Sequence, residues 1–226
     1  MIIFDKVTKI YSPDTVALKD VCFEIEKQEF VSLVGKSGAG KTTLLKLLLG
    51  QEKPTKGRVL FEDKNISELK SGELPELRRR IGAVFQDYKL LSSKTAYENI
   101  VYIMEVLGKT DEEIERDVPK VLEIVGLTNR AHHFPAELSA GERQRAAIAR
   151  ALIHRPDIIL ADEPTGNLDP YNTSEITRLL LKINELGTTV ILATHSKEII
   201  NSLRKRVITL EDGKLIRDDR NGRFIL

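Results

Sequence analysis

The run Gly35-Lys36-Ser37-Gly38-Ala39-Gly40-Lys41-Thr42 constrains this chain more than any other stretch. An unbroken apolar segment, Phe30-Val31-Ser32-Leu33-Val34, leads into it, and the leucine-rich run Thr43-Leu44-Leu45-Lys46-Leu47-Leu48-Leu49 follows it. A buried strand must therefore turn through glycines straight into a helix. Glycine, four residues, then Gly-Lys-Thr in that context is the pattern of a phosphate-binding loop. Glycines let the backbone wrap closely enough to aim N–H groups at phosphate oxygens, and the helix N-terminus adds partial positive charge. Lys41 is expected to reach the β- and γ-phosphates of a nucleotide, and the Thr42 hydroxyl to hold Mg²⁺. Gly35, Lys36, Ser37, Gly38, Ala39, Gly40, Lys41, Thr42 and Thr43 are the candidate contacts of this loop.

A second apolar strand, Ile158-Ile159-Leu160-Ala161, ends in Asp162-Glu163. Two buried neighbouring carboxylates are costly unless a cation balances them, and nucleotide-bound Mg²⁺ supplies one. Asp162 is the candidate metal residue and Glu163 the candidate general base toward water. Further along, Ser139 stands three residues before Glu142 in Leu138-Ser139-Ala140-Gly141-Glu142-Arg143-Gln144. That spacing is a capping box, which starts a helix at Ser139. Gly141 permits close backbone approach, so the helix end is a second candidate anion site. Two phosphate-seeking helix ends and one full nucleotide pocket point to a head-to-tail homodimer that shares its ATP.

Taken together, these motifs resemble the nucleotide-binding domain of ABC transporters, across essentially the whole chain. The resemblance implies an α/β fold: a P-loop NTPase core with a mostly parallel sheet, an antiparallel β subdomain and an inserted helical subdomain. It implies one ATP-binding domain over residues 1–226, with the core at 1–86 and 157–226 and the helical part at 87–156. It also implies a Mg²⁺-dependent ATPase. Tyr11 matches the aromatic that stacks on adenine, and Gln86 the glutamine that senses Mg²⁺ and the attacking water. Asn167-Leu168-Asp169 matches the loop that crosses the dimer interface, and His195 the histidine that contacts the γ-phosphate. Ser139, Ala140, Gly141 and Glu142 match the signature that closes over the partner's nucleotide. Ala140 departs from the commoner glycine there, which puts fast turnover in question more than binding. Within the family, the run from Asp162 to Asp169 resembles a subgroup of lipoprotein-release, macrolide-export and cell-division ATPases. Asp87 after Gln86 and Tyr97 before Glu98-Asn99 favour the division type. That type implies an integral membrane partner, docking along Asp87 to Asn99, and control of peptidoglycan hydrolases; an exporter subunit and an ATP-binding scaffold are the alternatives.

Composition adds limits. The formal net charge is +1, which gives no electrostatic case for nucleic acid. Arg78-Arg79-Arg80 and Arg204-Lys205-Arg206 read as solvated faces among acids. The single cysteine, Cys22, forms no intramolecular disulfide and, between Val21 and Phe23, reads as a buried thiol. Met1 to Lys6 lacks a basic leader, so a cytoplasmic chain without its own membrane span is expected. Strands are expected at 3–11, 17–25, 30–34, 58–61, 81–85, 157–161 and 189–193, and helices at 101–107, 111–125, 141–153 and 173–185. A hairpin turning on Asp212-Gly213 and a frayed tail complete the reading.

Overall fold

The computed structural model describes residues 1–220 and 222, and most of the tail expected to fray lies outside them. The described residues form two compact units, 1–78 with those from 184 onward, and 79–183. In the first unit, β1 (Ile2–Ser12) and β2 (Thr15–Ile25) pair antiparallel, and β4 (Lys56–Phe61) and β5 (Lys64–Asn65) extend the sheet in the order β2-β1-β4-β5. Its inner face carries Ile2, Phe4, Val21, Phe23, Val59 and Phe61, with the Phe4 and Phe23 rings stacked at 4.6 Å. The same alternation corrects the reading of Cys22. Val21 and Phe23 point inward, so Cys22 points outward, is exposed, and accepts the Lys6 N–H at 3.1 Å.

The unit's other strands centre on β3 (Phe30–Val34), parallel to both β8 (Thr189–Ala193) and β9 (Arg206–Glu211), with β10 (Lys214–Asp219) antiparallel to β9. All five residues of β3 are buried, as a parallel strand covered on both faces requires. The helices are α1 (Lys41–Leu48), α2 (Leu74–Arg79) and α7 (Lys197–Leu203). Arg206 is not part of a solvated face: the residue is 8 % exposed, and its guanidinium grips Asp218 bidentately (2.7 and 2.6 Å) and Glu29 at 3.0 Å. Those carboxylates hold its pKa above the ordinary arginine value, Asp218 first.

The second unit pairs β6 (Ile81–Phe85) with β7 (Ile158–Asp162) in parallel, and Arg80 Nε closes the strand entries on Asp157 at 2.6 Å. Between them run α3 (Ala96–Val106), α4 (Asp111–Ile124) and α5 (Ala140–Leu152), and α6 (Pro170–Glu185) follows β7. Capping boxes start α3 (Thr95 with Glu98), α4 (Thr110 with Glu113) and α5 (Ser139 with Glu142). Gly82 lets α5 press on β6, since a Cβ there would strike the Ala151 carbonyl. No helix among the described residues is long and apolar enough to cross a membrane.

Candidate functional site

The phosphate loop is built from the first unit alone. Gly38 (φ +83°) and Gly40 (φ +105°) take left-handed conformations that a side chain would strain. Gly40 also lies against β2, where a Cβ would come within 2.7 Å of the Ala17 carbonyl and the Leu18 side chain. Gly40 is the N-cap of α1, so no side chain caps that end and no acid occupies its first turn. Lys41 curls back over the loop and donates from Nζ to the Gly35 carbonyl (2.8 Å) and the Lys36 carbonyl (3.3 Å). An uncapped helix end beneath an ammonium is suited to an anion. Tyr11, in the same unit, is 46 % exposed at the end of β1, with the Lys9 ammonium 4.9 Å from its ring centroid. His195 follows β8 and is exposed just before the Ser196 cap of α7.

The acids belong to the second unit. β7 ends on Asp162, and Glu163 begins the turn at φ +47°, a left-handed conformation rare for a residue with a side chain. The turn is closed by the Gly166 N–H on the Glu163 carbonyl and the Leu168 N–H on the Thr165 carbonyl, both 3.1 Å. Such a costly conformation persists only where surrounding structure enforces it, and it is typical of working sites. Gln86, just after β6, meets this turn. Its Nε2 donates to Asn167 Oδ1 (3.1 Å), and Asn167 Nδ2 donates to the Gln86 carbonyl (3.3 Å).

At the start of α5, the Glu142 N–H donates to Ser139 Oγ (3.2 Å), the Ser139 N–H to Glu142 Oε2 (2.8 Å), and Arg130 Nε to Glu142 Oε1 (3.0 Å). The Ser139 backbone bond, ahead of its hydroxyl and Arg130, lowers the Glu142 pKa. Gly141 faces Asn172, whose Oδ1 fills the place a Cβ would need. Asn172 in turn gives its N–H to Asp169 Oδ1 (2.9 Å) and its Nδ2 to Asp169 Oδ2 (2.6 Å). These bonds, the backbone one first, hold the Asp169 carboxyl below its ordinary pKa. Asp169 thus binds the start of α6 and, through Asn172, abuts the residue beside Ala140.

Sequence reasoning missed Asn172, although Asp169-x-x-Asn172 has a capping spacing that could have drawn notice. It also missed Arg150 on α5, which donates to the Tyr88 carbonyl (2.9 Å) and to the Lys89 carbonyl. Tyr88 (φ +59°) and Lys89 (φ +52°) are consecutive left-handed residues, and no motif announces them.

The donor chemistry fits a nucleotide-bound Mg²⁺. Among the described residues no three His, Cys, Asp or Glu side chains gather into a metal cage. Mg²⁺ seldom needs one, since it keeps several waters and takes one or two carboxylates plus substrate phosphates. The Thr42 hydroxyl in the first unit, and in the second the Asp162 carboxylate and Gln86 carboxamide, each by itself has the hard oxygen chemistry it prefers.

Comparison with known proteins identifies the family. The model of the family described as ABC transporter matches residues 18–166, and one described as an AAA domain, putative AbiEii toxin, matches 134–201. The chain is 50% identical over 223 residues to the cell division ATP-binding protein FtsE of Mycobacterium tuberculosis, covering 98% of this chain and 97% of that one. It is 44% identical to FtsE of Escherichia coli K12, covering 95% and 97%. A dimeric post-hydrolysis structure of an ATP-binding cassette with ADP and Pi superposes with a TM-score of 0.87 at 37% identity, covering 99% of this chain and all of that one. CbiO1 of Clostridium perfringens, part of the ABC transporter complex CbiONQ, gives 0.90 at 32%, covering 97% and 88%. With the glycine loop, the acid-terminated strand and the capped signature helix in one chain, this protein belongs to the ABC transporter family and is one of its ATP-hydrolysing cassettes.

Proposed function

We propose that this chain is the ATPase subunit of a cell-division ABC complex, acting as a homodimer beneath a membrane partner of the FtsX type. The observation that carries this reading is identity of 44–50% across nearly the full length to proteins named for cell division. Tyr11 stacks on adenine, while the N–H groups of the Gly35–Thr43 loop and the Lys41 ammonium hold the phosphates. Thr42, Asp162 and Gln86 hold Mg²⁺, which offsets charge on the transferred phosphoryl group. Glu163 takes the proton of the attacking water, and His195 steadies the γ-phosphate. Ser139, Ala140, Gly141 and Glu142 close on the nucleotide of the opposite subunit, with Asp169 at the seam. Closure gains phosphate contacts that the open form lacks, so ATP biases a two-state element.

The coupling surface is the stretch from Asp87 to Asn99. Hydrogen bonds fix it at both ends. Arg150 holds its start, and buried Asn99 accepts the Leu91 N–H (2.8 Å) and donates to the Leu91, Lys94 and Thr95 carbonyls. The complex sits on the cytoplasmic side of the membrane at the division site and regulates peptidoglycan hydrolysis. The test is gentle extraction of the tagged subunit from native membranes with ATP, then mass spectrometry of the co-purifying membrane protein. An FtsX-like partner supports the division role. A lipoprotein-release or exporter permease keeps the ATPase and overturns the division role.

A further inference from the structure

Gln86 does not merely touch Asn167; it is seated. Its side chain and its main-chain carbonyl are both engaged by one asparagine amide. Beneath it is Gly166, where a Cβ would stand 2.7 Å from Gln86 Nε2, 2.9 Å from Cδ and 3.3 Å from Cγ. The carboxamide therefore lies across a residue that has no side chain. Gly166 and Asn167 belong to the turn that Glu163 begins, and Asp169 stands two residues on.

We propose that Asn167 is a positioning residue that berths the Gln86 side chain on Gly166, so that displacement of the 167–169 segment and release of Gln86 are one event. The inference rests on the assignment above of Gln86 to the Mg²⁺ side of the site. The bond uses Nε2 and a metal would take Oε1 of the same planar carboxamide, so while Asn167 holds Nε2 the amide cannot turn Oε1 elsewhere, and in this proposal the berth opposes metal engagement. Shifting Asn167 breaks the Nε2 bond and the bond to the Gln86 carbonyl together. The chain thereby acquires a link between its subunit-interface segment and the start of its coupling stretch, made of two amides.

The test measures Mn²⁺ affinity by electron paramagnetic resonance in complex with a non-hydrolysable ATP analogue, for the parent, Asn167→Ala, Gly166→Ala, Gln86→Ala and the Gln86→Ala/Asn167→Ala pair. Asn167→Ala removes the bonds, and Gly166→Ala evicts the carboxamide by bulk while leaving Asn167 in place. Each is expected to tighten Mn²⁺ binding about five-fold, which is about 1 kcal/mol at 1.4 kcal/mol per tenfold. In the Gln86→Ala background Asn167→Ala has no effect, because nothing is left to release. In protein without nucleotide, a nuclear Overhauser contact joins the Gln86 and Asn167 side-chain amides and is lost in Gly166→Ala.

An unchanged or weakened affinity in Asn167→Ala overturns the proposal while leaving Gln86 its role. So does an equal effect with and without Gln86. Gln86→Ala with parental Mn²⁺ affinity overturns the assignment of Gln86 itself, and the metal consequence with it.

Discussion

Gly141→Ala tests whether the signature helix is shaped by its own neighbour. A methyl at 141 would overlap Asn172 Oδ1 and lie 2.5 Å from Cγ, but 3.2 Å from Cβ. The helix backbone is unstrained at 141, so the Asn172 amide must swing away. That breaks its 2.6 Å bond to Asp169 Oδ2 and leaves the backbone bond to Oδ1 in place. Asp169 is exposed, so water competes for this bond and its loss costs only part of what a buried charge-assisted bond would. Replacing glycine by alanine in a helix returns at most about 1 kcal/mol, and less in a first turn. The expected result is a net fall in Tm of about 2–4 °C, the size of one weak interaction in a chain of this length. Asn172→Ala forfeits the same bond by itself. The pair should therefore lower Tm no further than the larger single effect, since the bond is lost only once. Thermal unfolding of the parent, both single variants and the pair measures this coupling. Strictly additive losses would refute the steric argument.

Glu163→Gln should bind ATP, hydrolyse it poorly and accumulate as a dimer, so a monomer on a sizing column with saturating MgATP would count against the shared-nucleotide model. Asp117 is gripped bidentately by Arg116 at 3.0 and 2.9 Å, and that bond first, with charge from Arg116, Arg155 and Lys120, lowers its pKa from 3.8 to about 2. Its contribution to stability is then present above about pH 3.8 and is lost as pH falls through about 2. Carboxyl carbon NMR should find a midpoint near 2 that climbs in Arg116→Ala; a parental midpoint near 3.8 would contradict the pairing. Arg206→Ala leaves Glu29 and Asp218 without their shared cation, and should cost about 3 kcal/mol in urea unfolding, the lower limit for a broken buried pair. A loss under about 1 kcal/mol would show that the carboxylates rehydrate freely.

The core strands 30–34, 81–85 and 189–193 were legible to the residue, because an apolar run bounded by turn residues has little freedom in register. Helix ends were less so. α3 begins at Ala96, five residues before the apolar spacing starts at Val101, because Thr95 and Glu98 cap it. α2 and α7 were missed outright; with six and seven residues, neither shows enough turns for a periodicity to stand out. At the site, glycines, acids and caps carry local signals. The Gln86–Asn167 and Gly141–Asn172 contacts join residues 81 and 31 positions apart, and no spacing rule anticipates either.

The left-handed backbone at Glu163 has a consequence for anyone evolving this protein. A side chain there costs about 1 kcal/mol relative to glycine on backbone grounds. Mutagenesis scored only by soluble yield would thus drift toward glycine at 163, and the best-behaved clones would be those that had lost the carboxylate. With Glu163 as the proposed base, folded abundance and turnover are opposed at this one codon, so a selection scheme for the protein must score phosphate release from the first round.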